Sequence, residues 1–237
     1  MLSILVLGFL LGMRHAIEAD HVAAVASMST RTQSLKEALR LGAIWGLGHT
    51  FTLFFFGSVV IFSDAVIPDI MAMFLEFLVG IMLVFLGVDV LRRIRKERVH
   101  FHIHEHEAGI KHFHAHSHKG EGEHQNSAHG HRHQEAFHLR SLLVGMMHGM
   151  AGSAALIVLT LQTVETPMMG LIYIALFGVG SVIGMAVLAS VIMIPLRHSA
   201  KKLTGFYQGV QVSIGLGTIG MGVFLMYEIG IVNSFII

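Results

Sequence analysis

The sequence contains no cysteine. Disulfide cross-links and thiolate metal ligands are therefore excluded. Charge is scarce as well. Asp, Glu, Lys and Arg make up 13% of the chain, and the formal net charge is +1. That balance by itself says little about partners, and no nucleic-acid partner is expected. No P-loop suggests a primary pump, and no HExxH run suggests a zinc protease. The apolar N-terminal stretch lacks a basic n-region and a small-residue cleavage site, so it reads as a retained helix.

Apolar residues are what the chain has in abundance. They make up 54% of its 237 residues, and mean hydropathy is +0.68. Several apolar runs reach the roughly 20 residues that a bilayer-crossing helix needs. The expected fold is an all-α integral membrane protein with six transmembrane helices, at about 2–28, 39–62, 70–91, 141–163, 168–194 and 206–232. STRTQSLKEALR, SDAVIPD and TVETP separate consecutive spans, and Pro195 opens PLRHSAKK before the last one. The organisation expected is a first three-helix repeat over 1–92, a His-rich cytoplasmic loop over 93–140, and a second three-helix repeat over 141–237.

The basic residues orient these spans. Arg31, Lys36 and Arg40 follow the first span. Arg92, Arg93, Arg95, Lys96 and Arg98 follow the third, and Arg197, Lys201 and Lys202 follow the fifth. The alternate connections carry only Asp64, Asp69 and Glu165. This alternation places both termini outside the cell membrane and the long insert in the cytoplasm. The halves also echo each other. Gly12, Met13 and His15 match Gly145, Met146 and His148; Gly46 and Gly48 match Gly178 and Gly180; Glu76, Gly80 and Gly87 match Gln211, Gly215 and Gly222. Three spans per half reverse the direction of the second half, which makes a 3+3 inverted repeat with its binding site expected near mid-membrane.

RHAIEADH, residues 14–21, interrupts the first apolar run. An ionisable group at the bilayer centre costs about 2.5–3.5 kcal/mol on the insertion scale. Such groups must pair, face water or hold an ion. Arg14 can neutralise Glu18 one helical turn on. His15, Asp20 and His21 offer imidazole and carboxylate, the ordinary nitrogen and oxygen ligands of a divalent first-row metal. On an ideal helix His15 and Asp20 point about 140° apart, and Asp20 and His21 about 100° apart. A helix distortion between His15 and His21 is therefore expected.

RHAIEADH resembles the signature of the nickel/cobalt transporter family, in which His-x4-Asp-His follows an arginine; Arg14, His15, Ala16, Ala19, Asp20 and His21 carry the match. GLGHTFT, with His49 as its polar member, resembles the family's second motif. HGMAGSAAL, from His148, is similar to a segment of short, urease- and nickel-associated members. The resemblance implies a secondary transporter of Ni²⁺ or Co²⁺ with no catalytic activity and no organic cofactor. His15, Asp20, His21 and His49 would hold the ion, with Arg14, Glu18, His148 and Ser153 as surrounding residues or gate. The longer members' LGxDTATE motif is absent, with AGSAAL in its place. Metal efflux, with Zn²⁺ among the cargoes, or metal sensing without flux are the alternatives. Expected partners are the transition-metal ion, the lipid bilayer and a cytoplasmic metallochaperone. A membrane di-iron enzyme would need more histidine clusters than these.

Thirteen of the 18 histidines lie between His100 and His138. His100, His102, His104, His106, His112, His114, His116, His118, His129, His131 and His133 read as low-specificity metal capture. The segment alternates histidine with other residues, but it lacks the apolar content to pack a strand, and disorder is expected in the absence of metal.

Overall fold

The computed structural model describes residues 2–32, 34–63, 68–96, 100–105, 111–116, 137–152, 166–202 and 204–233. Helices α1 (Leu2–His15) and α2 (Ala19–Ser29) occupy the first apolar segment, followed by α3 (Leu35–Ser63) and α4 (Asp69–Lys96). Strands β1 (His100–Glu105) and β2 (Lys111–His116) come next. Residues 137–152 are helical (α5). Helix α6 (Pro167–Lys202) precedes α7 (Thr204–Tyr227), which runs into a π-helical turn, Glu228–Val232.

Among the described residues, four helices are long and apolar enough to cross a membrane: Leu35–Ser63, Asp69–Arg95, Pro167–Arg197 and Gly205–Val232. Large apolar side chains such as Phe51, Phe55, Phe62, Phe85, Val187 and Val191 stand on their outer surfaces. In a bilayer such residues face lipid, so their exposure carries no desolvation cost. This is a helical membrane protein. The expected first span is two shorter helices, and the second part of the expected fourth span lies outside the described residues. Pro195, expected to follow the end of the fifth span, sits inside α6, which runs on to Lys202. Proline removes one backbone donor, and membrane helices tolerate that where neighbours satisfy the freed carbonyl.

The insert also differs from expectation. β1 and β2 pair antiparallel, with His100 opposite His116 and His104 opposite His112. The period-2 alternation of HFHIH and KHFHAH suffices for a ladder. His106, His118, His129, His131 and His133 lie outside the described residues.

Helix packing depends on backbone approach. α3 lies against α6, α4 against α7, and α1 against α6. A Cβ at Gly12 would overlap the Phe177 carbonyl, and one at Gly180 the Phe9 carbonyl. With the halves exchanged, a Cβ at Gly145 would overlap the Trp45 carbonyl, and one at Gly48 the Leu142 carbonyl. Gly80 meets the Gly222 carbonyl, and Gly87 meets that of Gly215. Small residues let membrane helices associate by close van der Waals contact, since lipid provides no hydrophobic drive between them.

At the other end of the bundle from the α3–α4 connection, Asp89 of α4 gathers three guanidinium groups. Arg31, just past α2, donates to its carboxylate. Arg140 of α5 lies 3.3 Å away and Arg93 3.7 Å away. Arg93 also donates to Thr30 Oγ1 at 3.0 Å. One carboxylate thus ties the ends of α2, α4 and α5 together.

Candidate metal centre

The site is built where α1 stops. Ile17 N–H donates to the Arg14 carbonyl at 3.0 Å and Glu18 N–H to that of His15 at 3.1 Å, which tightens and ends the helix. Glu18 is extended, at φ −63° and ψ 149°. The chain then turns back into α2. Nothing in Ala16-Ile17-Glu18 is a helix breaker by propensity, so the surroundings hold the break open. It brings together side chains that a straight helix would fan apart.

Two carboxylates orient two imidazoles. His15 Nδ1 lies 2.9 Å from Glu18 Oε1. His21 donates to Asp20 Oδ1 twice, from its backbone N–H at 2.8 Å and from Nδ1 at 2.9 Å. Asp20 also sits in the first turn of α2, where the helix dipole favours negative charge. His49 enters from α3, and His148 from α5. Thr52 Oγ1 reaches both the His49 and Met146 carbonyls, at 3.0 and 3.1 Å, and so joins α3 to α5 beside the site. The rings of His15 and His21 are 4.4 Å apart, those of His15 and His49 5.1 Å, and those of His21 and His148 4.8 Å. His21, His49 and His148 are each 2% exposed or less.

His15 Nε2, His21 Nε2 and both ring nitrogens of His49 and of His148 are buried without a hydrogen-bond partner among the described residues. Buried polar atoms are nearly always satisfied. Several orphans on rings packed against one another indicate a site for an electrophile. A carboxylate on Nδ1 with Nε2 left free is the usual arrangement of a metal-binding histidine, because it fixes the tautomer and raises ligand basicity. Two groups have one ligand atom per residue within 4.8 Å of each other: His15, His21 and His49; and Asp20, His21 and His148. A cavity of about 730 Å³ opens beside them, lined by Arg14, His15, Glu18, Asp20, His21, Glu76 and His148 among others.

Residues 1–125 of the chain match the family described as high-affinity nickel-transport protein, NicO. The chain belongs to this family. Across nearly its whole length it is also similar to the urease accessory protein UreH of Bacillus sp. (strain TB-90), at 37% identity over 234 residues, covering 99% of this chain and 95% of that protein. No solved structure matches. Membership of NicO makes the chain a nickel-transport protein and not an enzyme.

Within this NicO chain, His15, Asp20, His21 and His49 do come together, but as two overlapping groups that share His21. Asp20 hydrogen-bonds to the ring that sits in both. Arg14 lines the cavity and has no ion pair with Glu18 among the described residues. The helix ends between them, so the one-turn spacing that would have joined them is lost, and Glu18 takes His15 instead. Ser153 lies outside the described residues. Two participants were not read as part of the site from the sequence. Glu76 of α4 lines the cavity; an acid inside the apolar run FLEFLVG was the signal. Trp45 stands 5.4 Å from His21 and 5.3 Å from His148, ring to ring, and only the third dimension brings it there.

Proposed function

We propose that this chain is a secondary transporter that carries Ni²⁺ across the cytoplasmic membrane by ligating it to His15, His21 and His49. Glu18 and Asp20 hold two of these rings in register and balance the ion's double charge. Three neutral imidazoles and two carboxylates around one dication leave no net charge in a low-dielectric interior, where unbalanced charge is costly. The observation that carries this reading is the row of buried, unpartnered imidazole nitrogens facing one another behind carboxylate-anchored rings. Co²⁺ accepts the same ligands.

The reading includes six spans in a 3+3 inverted repeat. The reciprocal glycine contacts between α1 and α6 and between α3 and α5 support it, as does the pairing of α4 with α7. With the basic connections on the cytoplasmic side, both termini face outward and the His-rich insert faces inward. The insert's histidines collect metal at that mouth with little geometric selectivity, and an accessory role toward urease, as the relative's name states of that protein, fits delivery from there. Radioactive nickel movement in sealed proteoliposomes under imposed proton or voltage gradients tests the function. Wild type should carry the ion, and His15→Ala should lose most of the flux. Binding without flux by the wild type would make the protein a sensor instead.

A further inference from the structure

We propose that Asp20, His21 and His148 form a second ion station, and that the cargo passes between it and the His15–His21–His49 station across the single ring of His21. This rests on the transport reading above and adds a step to it. Four observations carry it. The members of the second group have ligand atoms within 4.8 Å of one another, as do those of the first. Asp20 spans its pair, with Oδ1 2.9 Å from His21 Nδ1 and Oδ2 3.5 Å from His148 Nε2. The second distance is too long for a strong hydrogen bond, and both ring nitrogens of His148 are buried without a hydrogen-bond partner among the described residues. Finally, all three members line the open cavity, whereas only two of the first group do, His15 and the shared His21; its third ring, His49, is fully buried and does not.

The two groups differ in the chemistry they offer. The second combines a carboxylate with two imidazoles and faces the cavity. Oxygen ligands suit a cation still carrying part of its water shell. The first is all imidazole and reaches away from the cavity through His49, so it suits an ion that has shed that shell. A neutral imidazole has one lone pair to give at a time. Two dications a few ångströms apart also repel strongly. One station must therefore empty as the other fills, and His21 never leaves the ion's company during the exchange. Trp45, packed against the rings of both His21 and His148, backs the outer pair and keeps water from that side.

The test uses the full-length protein. Nickel flux is measured in proteoliposomes, and X-ray absorption gives the ligand atoms of bound Ni²⁺. His21→Ala, which lacks the residue common to both stations, gives the background from the insert histidines. Against that background, wild type should retain one extra ion. His49→Ala should keep an ion in a mixed oxygen and nitrogen shell. His148→Ala and His148→Gln should keep one in an all-nitrogen shell. All three should lose flux by about tenfold or more. Gln keeps volume and hydrogen-bonding capacity in the buried slot, so agreement between the two His148 variants separates loss of a station from loss of fold. Wild-type flux in the His148 variants overturns the second station and leaves the transport reading standing. Loss of the extra ion in both the His49 and His148 variants overturns it too, because that is the behaviour of one composite site. A wild type that moves no nickel overturns the transport reading itself.

Discussion

Six side chains concentrate the chemistry of this protein: Glu18 acts through the ring it holds, while Asp20 both holds His21 and offers an oxygen to the second station. Asp20→Asn keeps the shape of its side chain but removes the charge that fixes His21. It should weaken nickel binding by about 10–100-fold, the usual consequence of losing a carboxylate behind a metal-binding histidine. Equilibrium binding of radioactive nickel to the purified protein checks this. Glu18→Gln should act in the same direction through His15. Protons and metal compete for the same imidazole lone pairs. Falling pH adds protons, so nickel affinity and flux should drop as the solution is acidified through the histidine range. Flux at fixed free nickel, measured from neutral to mildly acidic pH, checks the sign. A rise in affinity at acid pH would contradict imidazole ligation.

The elements carry the precision of the site. Gly12 lets α1 lie on the Phe177 backbone of α6, and Gly145 does the same for α5 on Trp45. Gly145→Val would drive α5 off α3, and it should cost about 1–3 kcal/mol through overpacking. It should also slow transport by shifting His148. Thermal unfolding in detergent together with flux checks both. Much of this scale was legible in the sequence. Runs of apolar residues outline α3, α4, α6 and α7, and the crowding of ligands in RHAIEADH predicts the break after His15, because a straight helix cannot converge those side chains. Other features were not legible. No residue between Ala16 and Glu18 marks the exact break. Glu18 rather than Asp20 pairs with His15 because of where the turn falls, and a one-residue shift would change that. Pro195 signals an end that α6 does not make. The β1–β2 ladder needs only alternation, while the expectation of disorder weighed apolar content.

At the scale of the whole molecule, the carboxylate of Asp89 holds three elements together at one end of the bundle, while the cavity opens beside the site. Asp89→Asn leaves Arg31, Arg93 and Arg140 clustered without their shared acid. Individual partly exposed pairs contribute about 0.2–1 kcal/mol, so the loss should show as a lowered unfolding temperature, largest at low salt. Insensitivity to salt would mean that the cluster contributes packing alone. Orientation has its own test, made clean by the absence of cysteine. Ser63→Cys, at the exposed end of α3, should react with an impermeant thiol reagent from outside intact cells, and Arg92→Cys only after the membrane is opened.

The way α1 is housed has a consequence for how the protein is made. The apolar segment that carries residues 14–21 is synthesised well before α6 and α7, yet the packing surface of α1 is α6, and α2 lies against α6 and α7. Its imidazoles meet His49 early and His148 only much later. Until the second half has been synthesised, the ionisable residues of 14–21 have no complete protein lining, and the cellular insertion machinery has to shield them from lipid. Biogenesis of this protein is therefore a task of delayed assembly: a piece made before its housing is finished only after it.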